Sequence, residues 1–190
     1  MKLYILLAVT ILLSFANLFG QVPNFIQERI DIYVHENYAE VEGIYYFYNP
    51  HTKPTQNSFY YPFVINENFI YPDSISAKHV ITGEKINFRR SKSGVHFVLS
   101  IPPGDTCIYK VYYRQKVKNQ QMEYILTTTK QWGKPLSYAE YYIHVPSNLQ
   151  LNDSSYKFNL VDENDSSKTY FLKKKNFMPN KNLVVSWRVK

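Results

Sequence analysis

From residue 25 to residue 189, apolar and polar positions alternate with a period of two, and no stretch of helical periodicity competes with that pattern. Within 25–35, Ile30, Ile32 and Val34 fall on one face. In the next segment Ala39, Val41, Gly43, Tyr45 and Phe47 share a face, opposite Glu40, Glu42, Ile44, Tyr46 and Tyr48. Further strands are predicted over 58–65, 74–81, 85–90, 95–101, 107–116, 122–128, 139–145, 155–160, 169–172 and 183–189. Turns fall at 49–54, 82–84, 91–94 and, most strongly, at Pro102-Pro103-Gly104-Asp105. Pro62 inside a strand predicts an edge position or a bulge. About ten short strands between turn signals predict an all-β fold, an antiparallel β-sandwich that is immunoglobulin-like or related, in one domain over residues 21–190.

A small outer-membrane barrel would also alternate, but its outward face should be continuously apolar. Here the second faces carry Glu40, Glu42, Lys110, Arg114, Glu140 and His144, which favours the sandwich. The beginning of the chain breaks the pattern. Lys2 precedes an apolar run from Leu3 to Leu13, and small residues Ser14 and Ala16 follow two apart, so residues 1–20 read as a signal peptide. Cleavage after Ala16 and cleavage after Gly20 both fit. The expected location is secreted or periplasmic, with the cell surface as a further option. No second apolar stretch approaches spanning length, so no membrane span is expected after cleavage.

The chain has a formal net charge of +7, and removing Lys2 with the signal leaves +6. The basic residues are scattered and no basic helix or recognition motif accompanies them, which excludes nucleic acid as a partner. Cys107 is the single cysteine, so no internal disulfide braces the fold and burial must do so. On a core face, Cys107 reads as a buried thiol; on the surface of an exported protein it would be free to form an intermolecular disulfide.

No catalytic motif appears, and no cofactor or metal site is expected. Glu40 and Glu42 project from one face at roughly 6.5–7 Å by strand rise, the spacing of a carboxylate pair, yet a solvated sheet face explains them better. His35, His51, His79, His96 and His144 never fall at paired ligand spacing. Residues 162–167 crowd acidic oxygens into a turn without the remaining features of a calcium loop, and Lys173-Lys174-Lys175 is placed to neutralise it across the hairpin. Trp132, before Pro135, reads as a buried aromatic plug under a crossover loop. Tyr46, Tyr48, Tyr112 and Tyr142 fall on faces read as outward. They are either a row of rings that stacks on a glycan or docks a protein, or part of strands covered on both sides. The expected function is therefore an exported, non-enzymatic sandwich acting by binding or structural interaction. A carbohydrate-binding module and a hydrolase with carboxylates from separate strands are the alternatives.

Three blocks carry a resemblance. They are Tyr45-Tyr46-Phe47-Tyr48-Asn49-Pro50 with Tyr60-Tyr61-Pro62-Phe63, then Glu123-Tyr124-Ile125-Leu126-Thr127-Thr128 with Trp132, Pro135 and Leu136, and finally Asn176-Phe177-Met178-Pro179-Asn180-Lys181-Asn182-Leu183. In this order they are similar to secreted bacterial domains of the domain-of-unknown-function type. The resemblance implies a secreted, β-rich domain and carries no activity or site residues.

Overall fold

Alternation of this length calls for burial of one face of the longer strands, and the computed structural model, which describes residues 21–190, shows how. The described residues form thirteen strands: β1 (Asn24–Val34), β2 (Tyr38–Tyr48), β3 (Thr55–Pro62), β4 (Ser74–His79), β5 (Phe88–Ser91), β6 (Gly94–Ile101), β7 (Thr106–Lys116), β8 (Gln121–Tyr124), β9 (Leu136–Pro146), β10 (Leu149–Ser154), β11 (Asn159–Glu163), β12 (Ser167–Phe177) and β13 (Leu183–Val189). The proposed signal peptide lies outside the described residues. A seven-stranded sheet runs in the order β11-β12-β9-β1-β2-β7-β4. Two three-stranded sheets, β10-β13-β8 and β3-β6-β5, form the other layer. Pairing is antiparallel except between β1 and β9, which run parallel. The fold is an all-β sandwich, and β3, which ends on Pro62, is an edge strand.

Strand bounds shift by a few residues in places, as for the strand expected over 155–160 that runs over Asn159–Glu163, and three further departures have local causes. The expected strand over 122–128 stops at Tyr124, because Asn182 Oδ1 accepts from the Leu126 and Thr127 amides and from the Thr127 hydroxyl. The chain then turns into a 3-10 helix, Thr127–Trp132, closed by Gly133 at φ 70°. Strand β10 has only Leu149 buried, too little apolar contrast for alternation to reveal it. Strand β12 runs through Lys173, Lys174 and Lys175, so these lysines lie within a strand rather than after one.

The inner face of the large sheet is the expected one: Ile30, Ile32 and Val34 on β1, Val41, Tyr45 and Phe47 on β2, Tyr109 and Val111 on β7, and Tyr141 and Ile143 on β9 are all buried. One glycine sets a contact between the layers. The Tyr45 ring folds back along its own strand over Gly43, where a Cβ would run into the tyrosine hydroxyl. So placed, Tyr45 Oη bonds to Tyr61 Oη and to Tyr124 Oη, each at 2.7 Å. Tyr61 belongs to one small sheet and Tyr124 ends a strand of the other, so the three hydroxyls join all three sheets. Gly43→Ala should displace the Tyr45 ring and lower stability by about 1–3 kcal/mol, the usual cost of overpacking. Urea denaturation checks this, and an unchanged midpoint would mean that the ring has room elsewhere.

Candidate functional site

Where the two small sheets part, a cleft of about 310 Å³ opens onto the large sheet. A β-bulge shapes it. Pairing of β1 with β2 slips between Phe25 and Gln27, leaving Ile26 as the extra residue. Phe25 and Glu28, three positions apart, therefore both face inward. Phe25 stacks on Phe47 at 4.7 Å between ring centroids, Trp132 meets Phe47 edge-on at 4.8 Å, and Phe59 lies 5.6 Å from Trp132. These rings form one wall. The 3-10 helix supplies Trp132 and Thr128 at the rim, and Tyr61 and Tyr124 line the polar end.

Glu28 lies in that polar end, across the β1–β2 pair from Tyr45, and is 3% exposed. Its Oε1 accepts a 2.5 Å hydrogen bond from the Tyr141 hydroxyl. Burial raises the carboxyl from the ordinary carboxylate range to about 7, with the Tyr141 bond working in the opposite direction. Among the described residues no Lys, Arg or His pairs with it. Burial also lifts Tyr45, Tyr61, Tyr109 and Tyr124 above the ordinary phenol range, so these hydroxyls stay neutral. Three hydroxyl protons serve the two bonds of the tyrosine trio, which leaves one proton to donate elsewhere. An apolar cleft with a few convergent polar groups has the makeup of a small-molecule site.

The outward face of the large sheet holds the tyrosines singled out by sequence, each half-buried. Tyr142 and Tyr112 fall in one row across the sheet, separated by Asp31 and Glu42 on the two strands between them. Tyr46 and Tyr48 lie toward the far end of β2, so the four rings do not converge. Tyr142 is engaged within the protein, under the Arg29 guanidinium at 4.5 Å and against Phe171 at 4.7 Å. Tyr112 borders a more open groove of about 750 Å³, together with Lys78, Lys85 and the Lys110–Glu42 ion pair. That face also carries a hydrogen-bonded chain: Thr169 Oγ1 to His144 Nδ1 at 3.2 Å, and His144 Nε2 to Asp31 Oδ1 at 3.1 Å. Burial would raise Asp31, but the bonds from His144 and Arg29 outweigh it and hold the carboxyl below its ordinary value. Acyl transfer also needs an oxyanion hole, and Thr169 sits within a sheet strand whose neighbours β11 and β9 occupy the adjacent ladders. The chain has the character of a structural network.

The remaining candidates resolve individually. Glu42 is held by Lys110 at 2.6 Å, while Glu40 lies 4.0 Å from His35, so the two carboxylates do not act as a pair. Among the described residues no three His, Cys, Asp or Glu side chains cluster as metal ligands. Cys107 is buried, and burial followed by the nearby Asp105 pushes the thiol up to about 11, so an intermolecular disulfide has no surface thiol to use. At the acidic hairpin Lys168 pairs with Glu163, rather than the triple-lysine run, and Asn164 Oδ1 caps the turn. Trp132 is half-buried at the rim of the cleft, not a sealed plug. Sequence reasoning passed over Glu28, although it occupies the same period-two face as Ile30, Ile32 and Val34; a charged residue in that row was the available signal.

No protein-family model and no curated protein matches the chain. Solved structures do resemble it. A provisionally named nutrient binding protein of Legionella pneumophila superposes with a TM-score of 0.71 at 13% identity, over 88% of this chain and 68% of that one. An M1 zinc metallopeptidase of Deinococcus radiodurans gives a TM-score of 0.53 at 12% identity, over 88% of this chain but 43% of the peptidase. This chain therefore spans less than half of the peptidase, and at such identities the likeness is one of fold.

Two outcomes are expected. The Glu28 proton is held more tightly in the folded than in the unfolded chain, so its stabilising contribution is complete below the unfolded value of 4.5 and is lost as pH rises through about 7. Within that window stability should fall by about 1.4 kcal/mol per pH unit relative to Glu28→Gln, measured as urea midpoints across the range. Parallel curves for the two proteins would show that Glu28 titrates normally. Trp132→Ala should cost about 2 kcal/mol, below the roughly 3–5 of a fully buried ring, and the same denaturation assay measures it.

Proposed function

We propose that this protein is an exported, non-enzymatic binding module whose ligand site is the cleft between the two small sheets. The observation that carries this reading is the joining of Glu28 and the tyrosine hydroxyls to a wall of aromatic rings in one cleft that reaches solvent. Binding rather than catalysis is favoured by the state of those groups. The phenols are neutral, and the carboxyl is already engaged by Tyr141 instead of poised beside a nucleophile. A fold shared with a protein named for nutrient binding supports the same reading. The lysine-led apolar run at residues 2–13 supports export.

The volume is at the small end for ligand pockets, which suits a compact molecule with one apolar part and one or two polar groups. Thermal-shift screening of the protein with free amino acids, aromatic acids, arylalkylamines and monosaccharides should yield stabilising compounds. Thr128→Trp, which fills the rim of the cleft, should weaken a hit by about tenfold or more, while Tyr112→Ala and Tyr142→Ala leave it unchanged. The reverse pattern would move the site to the outward face and to a stacked glycan.

A further inference from the structure

Resting on that reading of the cleft, we infer that it selects small organic cations: an ammonium or guanidinium group carried on an apolar body, with the Glu28 carboxylate as counter-ion. The first support is the isolation of Glu28. A buried carboxylate is ordinarily matched by a protein cation or held protonated. The nearest basic residue in sequence, Arg29, projects to the opposite face and is committed there to Asp31 through Nε at 2.8 Å and Nη2 at 3.0 Å. The titratable groups that feel the Glu28 charge from the strands packed around it are all phenols: Tyr45 from β2, Tyr61 from β3, Tyr109 from β7, Tyr124 from β8 and Tyr141 from β9. All are raised by burial and uncharged, so the protein offers the carboxylate one hydrogen bond, from Tyr141, and no positive charge.

The second support is the composition of the wall. Phe25, Phe59 and Trp132 line the same cleft as Glu28, and aromatic rings attract a cation while their bulk accepts an apolar body. An anionic ligand would meet the Glu28 carboxyl with no basic group to receive it. A neutral ligand would leave the carboxyl protonated and use only part of the site. A cation alone employs both the charge and the rings.

Entry of a cation favours the ionised carboxyl, so binding must displace the Glu28 proton below its folded value of about 7. Affinity for a permanent or strongly basic cation therefore rises with pH across neutrality and levels off above it.

Calorimetry on the intact chain with three isosteric probes decides the matter: phenethylammonium, 2-phenylethanol and phenylacetate. Phenethylammonium should bind about tenfold or more tighter than 2-phenylethanol near pH 8, with phenylacetate weakest. Its advantage should shrink near about pH 6, where binding should release protons, seen as a dependence of the heat on the buffer's ionisation enthalpy. Glu28→Gln should abolish the preference while still binding 2-phenylethanol. Equal binding of amine and alcohol by the natural protein, without proton release, would overturn cation selection and leave the cleft as a binding site. Failure of all three probes and of every compound in the wider screen would overturn the cleft itself. If the Gln variant does not fold, the pH dependence and proton release of the natural protein still decide between these outcomes.

Discussion

The three sheets of this sandwich meet at one oxygen atom. Tyr45 Oη takes part in hydrogen bonds with Tyr61 and Tyr124, one from each of the small sheets that cover the large one. Each of these tyrosines is buried, and an unmet buried polar group costs roughly 1–3 kcal/mol, so none of the three can leave the trio without a penalty. The side chains around them follow from this constraint. Gly43 is bare because the Tyr45 ring lies over it. Tyr109 stacks on that ring at 5.1 Å, and Phe25 tilts against it at 6.2 Å. The cleft lies beside the trio, whose three tyrosines are among its lining residues.

Adjacent residues of β1 then divide the electrostatics of the large sheet. Glu28 points into the sandwich and Arg29 out of it, as strand geometry requires. Outside, Arg29, Asp31, His144 and Thr169 satisfy one another, and Tyr142 lies beneath the guanidinium. Inside, Glu28 has a hydroxyl partner but no cation. A fold that needed only stability would place an uncharged residue at this position, since Gln, Leu or Met would avoid the charge altogether. The bulge at Ile26 that brings Glu28 and Phe25 to the same face is a second departure from the simplest strand, at the same place.

How much of this was legible beforehand depended on the kind of information each feature carries. Alternation reports which face of a strand is buried, and it placed Ala39, Val41, Gly43, Tyr45 and Phe47 on the buried face of β2 and Tyr46, Tyr48, Tyr112 and Tyr142 on the opposite faces of their strands. It cannot report which strands become neighbours. The parallel contact of β1 with β9 joins segments more than a hundred residues apart, and the trio joins residues 45, 61 and 124, so the cleft is a product of topology. The end of β8 was hidden for a similar reason. Leu126 and Thr127 have the composition of a strand, and it is Asn182, distant in sequence, that draws them into the loop leading to the 3-10 helix.

Glu28 was the exception, a feature of the site written in local sequence. Its position continues the row of Ile30, Ile32 and Val34, so a carboxyl on the core face followed from the same pattern that predicted the strand. A charged residue in such a row is more informative than the apolar ones around it, because burying it without a basic partner costs stability that packing alone does not recover. The outward tyrosines drew attention because rings in solvent look available for binding. In this fold the inward rings surround usable space as well, and what distinguishes them is the buried carboxyl they enclose.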